Sequence, residues 1–532
     1  MDHRNRFRLE SLGIFLLALL LFTLGIWDQQ PQGFDGRWAL FLQEMFRHGA
    51  SFFPTTYGQP YADYPGTATF FSFVFARLFG APNHLANILP TALASAGLVA
   101  VIYRLLVPSS RQWALLTVLL TLLTAQLLDK SRSVCLDQMV SLLCVGSFYL
   151  LHTGERLGSR WRQLAVFPLF ILGFAIRGPL GLIEVCGVVC VYWALSRPGQ
   201  RVRQVLIHGA VGLLLLVACW WLLVKLARIS GGDAFADEVF KMQVGGRLDE
   251  SGEPFYFYFQ LSVYRYFPVV PLALATMIAL RHRWSERFVN DDVQLVVRLG
   301  ACGLMILLGL SVPHFKRAYY ILPMVPLFAA VAAYGLLQAQ GWLVGVRRCY
   351  EGLVAALPAL CVVVVFVCRH GWQKHGYWPD VSLPLLIGVL LILQVAAVIA
   401  WRRLVWLSAI ALAAQWLVLV TVVDRAKDLQ FDTRTFVGQV EALRVTQPGP
   451  LVFLNLGRDT WAVRYMMNLD HDEQPLFVSA GEVARLGALP RPSWVIVARK
   501  ETALLAGTPL EHQAPVFSGR LNDNPLMVFL LR

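Results

Sequence analysis

Apolar stretches of membrane-spanning length dominate this sequence and limit what the chain can fold into. A helix that crosses a bilayer needs about 20 mostly apolar residues. About thirteen such stretches are predicted, at 11–27, 86–107, 113–128, 139–151, 164–176, 180–195, 205–224, 266–280, 299–312, 320–337, 353–367, 383–400 and 404–423. Composition agrees, because 57% of the 532 residues are hydrophobic and 15% are charged, against about 25% charged residues in soluble proteins. The sequence therefore predicts a polytopic α-helical membrane protein.

The basic residues of the loops set the expected orientation, because Lys and Arg collect on the cytoplasmic side. Alternate loops contain Arg104 and Arg111; Arg156, Arg160 and Arg162; Arg197, Arg201 and Arg203; Arg281, Arg283 and Arg287; Arg347 and Arg348; Arg402 and Arg403. These loops lie on the same side as the N-terminus, which is therefore expected in the cytoplasm ahead of an uncleaved first span. Topology accounts for the net charge of +13, and nucleic-acid binding is not expected.

Two regions are expected on the outer side of the membrane. Residues 1–424 are predicted to form the transmembrane domain, with a long first outer loop at 28–84. Residues 425–532 are predicted to form a small α/β domain, with a helix at 433–443 and strands at 450–456, 475–478, 494–498 and 525–531.

Two aspartates at the outer edge are the candidate catalytic groups, since ionisable residues at the membrane are costly and usually functional. Asp35 begins a helical pattern whose apolar stripe is expected to lie in lipid, and a second interfacial helix is expected at 70–79. Asp137 stands where the chain re-enters the membrane. The alternatives are a solvated amphipathic loop for Asp35 and a helix cap for Asp137.

Cations on the same outer side favour a phosphate ligand, because arginine binds phosphate with two parallel hydrogen bonds. They are Arg177, Arg247, Lys316 and Arg317. Binding of anionic lipid headgroups, or anchoring of helix ends, is the alternative. The nine cysteines lie mostly in or beside apolar stretches. The sequence contains no recognisable metal-ligand cluster, disulfide framework or nucleotide-binding loop. No cofactor is therefore predicted, and a requirement for a divalent metal is left open without support from the sequence.

At these residues the chain resembles the bacterial membrane glycosyltransferases of the GT-C type that are related to protein O-mannosyltransferases, particularly the aminoarabinose transferase of lipid A. The resemblance covers the expected architecture and six ordered motifs, Asp35-Gly36-Arg37-Trp38-Ala39 with Glu44-Met45, Tyr61-Ala62-Asp63-Tyr64-Pro65, Leu136-Asp137-Gln138-Met139, Arg177-Gly178-Pro179, Arg247 with Pro254-Phe255-Tyr256-Phe257-Tyr258, and Lys316 with Tyr320-Ile321-Leu322-Pro323.

The chain also departs from the pattern of that group at three positions. Gly36 stands where a second acid is usual, Tyr64 stands in place of a lysine expected to hold the donor phosphate, and Ser251 replaces a histidine. These departures bear on the identity of the substrates more than on the class of reaction.

The resemblance implies transfer of a sugar from a polyprenyl phosphate to lipid A, lipopolysaccharide or another envelope acceptor, at the periplasmic face of a bacterial inner membrane. Asp35 would be the general base, and Asp137 a second carboxylate that positions the sugar or the acceptor. The four cations would stabilise the leaving phosphate. The residues expected to position the sugar or acceptor are Arg37, Glu44, Tyr61, Asp63, Tyr64, Tyr256 and Tyr320.

Three other functions remain open from the sequence. They are a protein O-glycosyltransferase with the same donor class, a transporter or flippase of lipid-linked sugars, and a non-catalytic scaffold. A transporter predicts charges at the bilayer midplane and inverted repeats, whereas the charges here lie mostly at one face. The sugar, the prenyl length and the oligomeric state are not indicated.

Overall fold

The computed structural model describes residues 3–33, 35–196, 198–245 and 252–532. The α-helices of the first half are α1 (His3–Thr23), α2 (Asp35–His48), α3 (Thr67–Phe79), α4 (His84–Leu106), α5 (Arg111–Leu123), α6 (Ala125–Ser131), α7 (Leu136–Leu157), α8 (Arg160–Leu164), α9 (Val166–Arg177), α10 (Pro179–Ala194) and α11 (Pro198–Phe240). Those of the second half are α12 (Phe257–Tyr264), α13 (Val269–Leu280), α14 (Asp291–Ser311), α15 (Met324–Leu337), α16 (Leu343–Gln373), α17 (Leu383–Ile399), α18 (Leu404–Val418), α19 (Asp424–Gln430), α20 (Arg434–Thr446) and α21 (Val463–Met466). The strands are β1 (Thr55–Thr56), β2 (Gln59–Pro60), β3 (Leu451–Leu454), β4 (Leu476–Val478), β5 (Ser493–Ala498), β6 (Phe517–Leu521) and β7 (Asn524–Leu531).

Each predicted apolar stretch overlaps one of these helices, and the protein crosses the membrane several times. In the described parts of the chain, five helices are long and apolar enough to span a bilayer, namely His84–Leu106, Arg201–Gly245, Asp291–Ser311, Leu343–Gln373 and Leu404–Thr446. Two bent pairs, α5 with α6 at 76° and α12 with the helix that begins at Val269 at 104°, raise this number to seven if each pair is one span. The count of thirteen spans remains a prediction, because several of the other apolar helices are only 10–17 residues long.

Helix ends bring the polar residues of the bundle to one place. The bend between α5 and α6 carries the sequence Asp129–Arg132 across the end of the bundle. Asp137 lies in the first turn of α7, and Arg177 lies in the last turn of α9. Pro179 starts α10 directly afterwards, a position where the missing N–H of proline costs nothing.

The C-terminal region is an α/β domain built on one mixed sheet. Its strand order is β4-β3-β5-β7-β6, with β3 parallel to β4 and β5, and β7 antiparallel to β5 and β6. Helix α20 packs on one face. The four predicted strands and the predicted helix overlap observed elements, whereas β6 was not predicted, because Phe-Ser-Gly-Arg-Leu carries only two apolar residues.

Helix α2 corrects one expectation. Its apolar residues Trp38, Phe41, Leu42 and Met45 are buried in protein, not in lipid as the sequence suggested. An amphipathic pattern reports only that one face is covered, and here other parts of the protein cover it. The surface suited to lipid belongs to α3, which overlaps the second predicted interfacial helix and leaves its apolar side chains exposed, namely Phe70, Phe71, Val74, Leu78 and Phe79.

The first outer loop and the C-terminal domain share a core. Leu40 and Tyr57 pack among the buried residues of the sheet and α20. The Tyr57 hydroxyl donates to the carbonyl of Arg458 at 2.6 Å, and Arg47 donates to the carbonyl of Leu469 at 2.6 Å. Residues on both sides of the predicted boundary at residue 424 therefore pack in one core, and the boundary itself stays a prediction.

Candidate active site

A cavity of about 960 Å³ lies between the first outer loop, the polar end of the helix bundle and the C-terminal domain. Nine of the residues predicted for the site line it. They are Asp35, Arg37, Tyr61, Asp63, Tyr64, Asp137, Arg177, Arg317 and Tyr320. The structure thus brings together side chains that are far apart in the sequence, with Asp35 and Tyr320 separated by 285 positions.

Asp35 is the buried acid of the first loop. It is the first residue of α2, is 7% exposed, and accepts the backbone N–H of Val134 at 3.3 Å from each carboxylate oxygen. Burial raises its pKa to about 7, in spite of the attraction of Lys130 and the Val134 hydrogen bond. A carboxyl group with a pKa near 7 is poised to take a proton at neutral pH.

Asp137 and Arg177 form a buried ion pair at the base of the cavity. Nε of Arg177 donates to Oδ1 of Asp137 at 3.1 Å, and both side chains are at most 3% exposed. The sequence assigned Asp137 to the sugar or the acceptor. That role stays a prediction, and in the structure the carboxylate pairs with Arg177 and orients it.

The guanidinium of Arg177 has donors that the described residues do not use. Its Nη1 is buried and has no hydrogen-bond partner among them. The aromatic rings of Tyr320 and Tyr64 flank the group at 4.7 and 5.5 Å. A buried donor without an acceptor costs free energy, and an anion in the cavity would relieve that cost.

Gly178 makes this arrangement possible. Its φ is 69°, and a Cβ there would lie 2.6 Å from Oε1 of Gln243. The amide of Gln243 in turn donates to the backbone carbonyl of Asp63. A side chain at position 178 would therefore push apart the turn after Arg177 and the first outer loop.

A second group of charges lines the cavity and was not among the predicted site residues. Lys130 and Lys427 pair with Asp129 at 3.2 and 3.3 Å, and Arg132 pairs with Asp424 at 2.9 Å. The sequence signal was the run of charges at 129–132, directly before Asp137. No comparable pattern in the sequence pointed to their partners Asp424 and Lys427, which follow the last apolar stretch.

Glu44 does not line the cavity, although it was predicted for the site. Its carboxylate accepts the backbone N–H of Tyr57 at 2.6 Å and that of Gly58 at 3.3 Å. These residues form the turn between β1 and β2, where Tyr57 has a φ of 56°. Glu44 therefore holds a strained turn of the first loop.

Two further predicted residues, Lys316 and Tyr256, are described by the structure and do not line the cavity. Nζ of Lys316 donates to the carbonyl of Glu253 at 2.7 Å, and burial lowers the pKa of this lysine. Tyr256 is 57% exposed. Arg247, the remaining predicted site residue, and Ser251 lie outside the described residues.

The C-terminal domain supplies one wall of the cavity, which the sequence did not predict. Its lining residues are Lys427, Phe431, Asp459, Thr460, Trp461, Arg464, Asn522 and Asp523. The Tyr61 hydroxyl donates to Oδ2 of Asp459 at 3.4 Å, and Arg37 lies 3.9 Å from Asp63. Across the described ranges, no three His, Cys, Asp or Glu side chains are grouped closely enough to hold a metal ion.

Comparison with known proteins confirms the resemblance. The model of the dolichyl-phosphate-mannose-protein mannosyltransferase family matches residues 63–223. ArnT from Cupriavidus metallidurans has the same fold, both bound to undecaprenyl phosphate (15% identity, TM-score 0.72) and in the apo state (14%, 0.73), with 97% of each chain covered. The Archaeoglobus fulgidus oligosaccharyltransferase in its apo form is more distant (10% identity, TM-score 0.53, 94% of this chain and 71% of that chain). No curated protein sequence matches the chain. The protein therefore has the GT-C fold of these membrane glycosyltransferases.

Proposed function

We propose that the protein is a membrane glycosyltransferase that moves a sugar from a polyprenyl phosphate to a cell-envelope acceptor of the lipid A or lipopolysaccharide class, at the periplasmic face of the bacterial inner membrane. The observation that carries this proposal is the meeting, in one cavity, of a buried carboxyl with a pKa of about 7 and a buried arginine with an unused donor.

Arg177 is the proposed site of the donor phosphate. Its unused N–H donors suit a phosphate oxygen, and the Asp137 carboxylate fixes the orientation of the guanidinium. Arg317 lines the same cavity and adds positive charge. ArnT, which shares the fold, has been captured with undecaprenyl phosphate. Donors that are already in place when negative charge develops on the leaving phosphate lower the barrier most.

Asp35 is the proposed general base. It removes the proton of an acceptor hydroxyl while that oxygen bonds to the anomeric carbon of the donor sugar. The bond between the anomeric carbon and the phosphate oxygen breaks, and its electron pair leaves with the polyprenyl phosphate. The proton remains on Asp35, whose raised pKa suits both the removal of a proton and its later release.

Release of polyprenyl phosphate from labelled polyprenyl-phosphate sugars by purified protein tests the proposal. Wild type and Asp35→Asn would be compared with the lipid fraction and the protein fraction of the host envelope as acceptors. We expect Asp35→Asn to lose about 10²- to 10⁴-fold in rate, the usual contribution of a general base. Transfer should require the lipid fraction.

Asp470→Asn is the matched control, because Asp470 is a 99% exposed aspartate that does not line the cavity. It should retain the wild-type rate. Full activity of Asp35→Asn would exclude this residue as the base. Transfer to the protein fraction alone would favour a protein O-glycosyltransferase, and no release with any donor would contradict the reaction class.

A further inference from the structure

The cavity wall supplied by the C-terminal domain is polar and aromatic, and the proposed chemistry does not use it. Asp459 and Trp461 come from the turn Arg458–Ala462, and Arg464 comes from the short helix α21 that follows. Asp523 joins them from the turn between β6 and β7. This wall belongs to the domain outside the apolar bundle, whereas Arg177 lies in the bundle itself.

Gly36 allows this wall to approach Asp35. A Cβ at Gly36 would lie 3.1 Å from Sδ of Met467 and 3.7 Å from Cγ of Arg464. The carbonyl of Met467 also accepts the side-chain amide of Gln43 at 2.5 Å. Because position 36 has no side chain, Met467 and Arg464 can pack closely against the start of α2.

Arg464 and Trp461 form a stacked pair. The guanidinium lies over the indole ring at 4.5 Å from its centroid. Burial lowers the pKa of Arg464, and the negative charge of Asp523, which acts on the guanidinium without a direct ion pair among the described residues, offsets only part of that effect. An indole face binds the apolar face of a sugar ring, and a guanidinium binds phosphate with two parallel hydrogen bonds.

We propose that Trp461 and Arg464 form the acceptor subsite, which recognises a saccharide headgroup that carries a phosphate. This inference rests on the proposed function. Asp459 and Asp523 border the subsite and can accept hydrogen bonds from sugar hydroxyls. The donor phosphate is held on the bundle side by Arg177, so that donor and acceptor bind to two different domains in a cavity that Asp35 also lines.

Binding to the full-length protein in detergent tests the subsite. The probes are lipid A with both phosphates, the same lipid A after phosphatase treatment, and undecaprenyl phosphate. For Arg464→Gln, we expect the Kd of phosphorylated lipid A to rise at least tenfold, with the Kd of undecaprenyl phosphate unchanged within twofold. For Trp461→Leu, binding of both forms of lipid A should weaken.

Arg485→Gln is the control, since Arg485 is an exposed arginine of the same domain that pairs with Glu482 at 2.9 Å and does not line the cavity. It should bind all probes as wild type does. The inference is overturned if wild type binds both forms of lipid A equally or neither form, or if Arg464→Gln weakens undecaprenyl phosphate instead. Asp35-dependent release of polyprenyl phosphate is measured separately, so a failed subsite leaves the proposed reaction standing, and the reverse also holds.

Discussion

Two buried arginines, at opposite ends of the helix bundle, show how the same side chain serves two purposes. Arg177 and Arg298 are each 2% exposed, and each pairs with a carboxylate, at 3.1 Å to Asp137 and at 2.8 Å to Glu155. The pairs differ in what else surrounds the guanidinium.

The hydrogen-bond donors of Arg298 are nearly saturated, because neighbouring side chains accept most of them. It also donates to the hydroxyls of Tyr192 at 2.7 Å and Ser196 at 2.9 Å, which leaves only its Nε without a partner in the described chain. Arg177 has one carboxylate, an unused Nη1 and a cavity beside it. A saturated arginine joins helices, whereas an unsaturated one that lines a cavity is available to a ligand.

The largest expected effect is a pH-dependent change in stability at the end of the bundle that faces the cavity, with no counterpart at the end that contains Arg298. Burial raises the pKa of Asp35 from an ordinary 3.8 to about 7, so the folded protein binds more protons than the unfolded chain between these values, and stability falls as pH rises. Asp35→Asn should remove this cost and stabilise the protein by about 4 kcal/mol at pH 8, and by less than half of that at pH 5. Thermal unfolding in detergent at both pH values measures the difference.

Glu155→Gln is the matching change at the saturated end, and it should destabilise the protein, since it weakens the ion pair with Arg298. The comparison between the two ends fails if Asp35→Asn gives the same change in stability at pH 5 and pH 8.

Next in size is Arg177→Lys. Lysine keeps the charge opposite Asp137 but cannot offer the planar second donor of the guanidinium. Transfer should fall about 100-fold, equivalent to about 2.7 kcal/mol, with little change in melting temperature. Steady-state rates with the polyprenyl-phosphate donor give the result, and an unchanged rate would remove Arg177 from the phosphate site.

Arg298→Lys should show the opposite pattern. The change loses hydrogen bonds to Tyr192 and Ser196, at a cost of about 2 kcal/mol in unfolding free energy. The transfer rate per folded molecule should stay within twofold of wild type. Denaturant unfolding and the transfer assay, run on the same preparation, distinguish the two arginines.

The smallest expected effect is that of Glu44→Gln. The carboxylate accepts two backbone N–H groups of the turn that contains Tyr57, and the neutral amide is a weaker acceptor. We expect a loss of about 1 kcal/mol in stability and an unchanged transfer rate. A large loss of transfer in a stable protein would show that Glu44 belongs with the cavity residues.

Much of the membrane architecture could be predicted, because apolar stretches report burial directly. Asp35, Asp137 and Arg177 could also be predicted to lie on the same side of the bundle, since Asp35 stands in the first outer loop and the other two stand where the chain enters or leaves an apolar helix on that side. The pairing of Asp137 with Arg177 could not be predicted, because these residues are distant in the sequence and meet only in the folded structure.

Other features depend on contacts between distant parts of the chain. An apolar helix face has the same sequence pattern whether lipid or protein covers it. The positions of Trp38 and Phe41 in α2 therefore could not show that this face packs against protein. Trp461 and Arg464 stand in no motif, and their place in the cavity follows from the docking of the C-terminal domain on Gly36. Glu44 and Lys316 matched motif positions, yet their partners are backbone groups.

The shared core of the first outer loop and the C-terminal domain bears on how the protein is made. Tyr57 and its partner Arg458 are 401 positions apart, so the ribosome adds all of the intervening residues before the second surface exists. Leu40 and Tyr57 can pack in their core only after that surface has been made. The wall of the cavity that the C-terminal domain supplies therefore forms late, and a nascent chain that stops before Arg458 lacks a finished site.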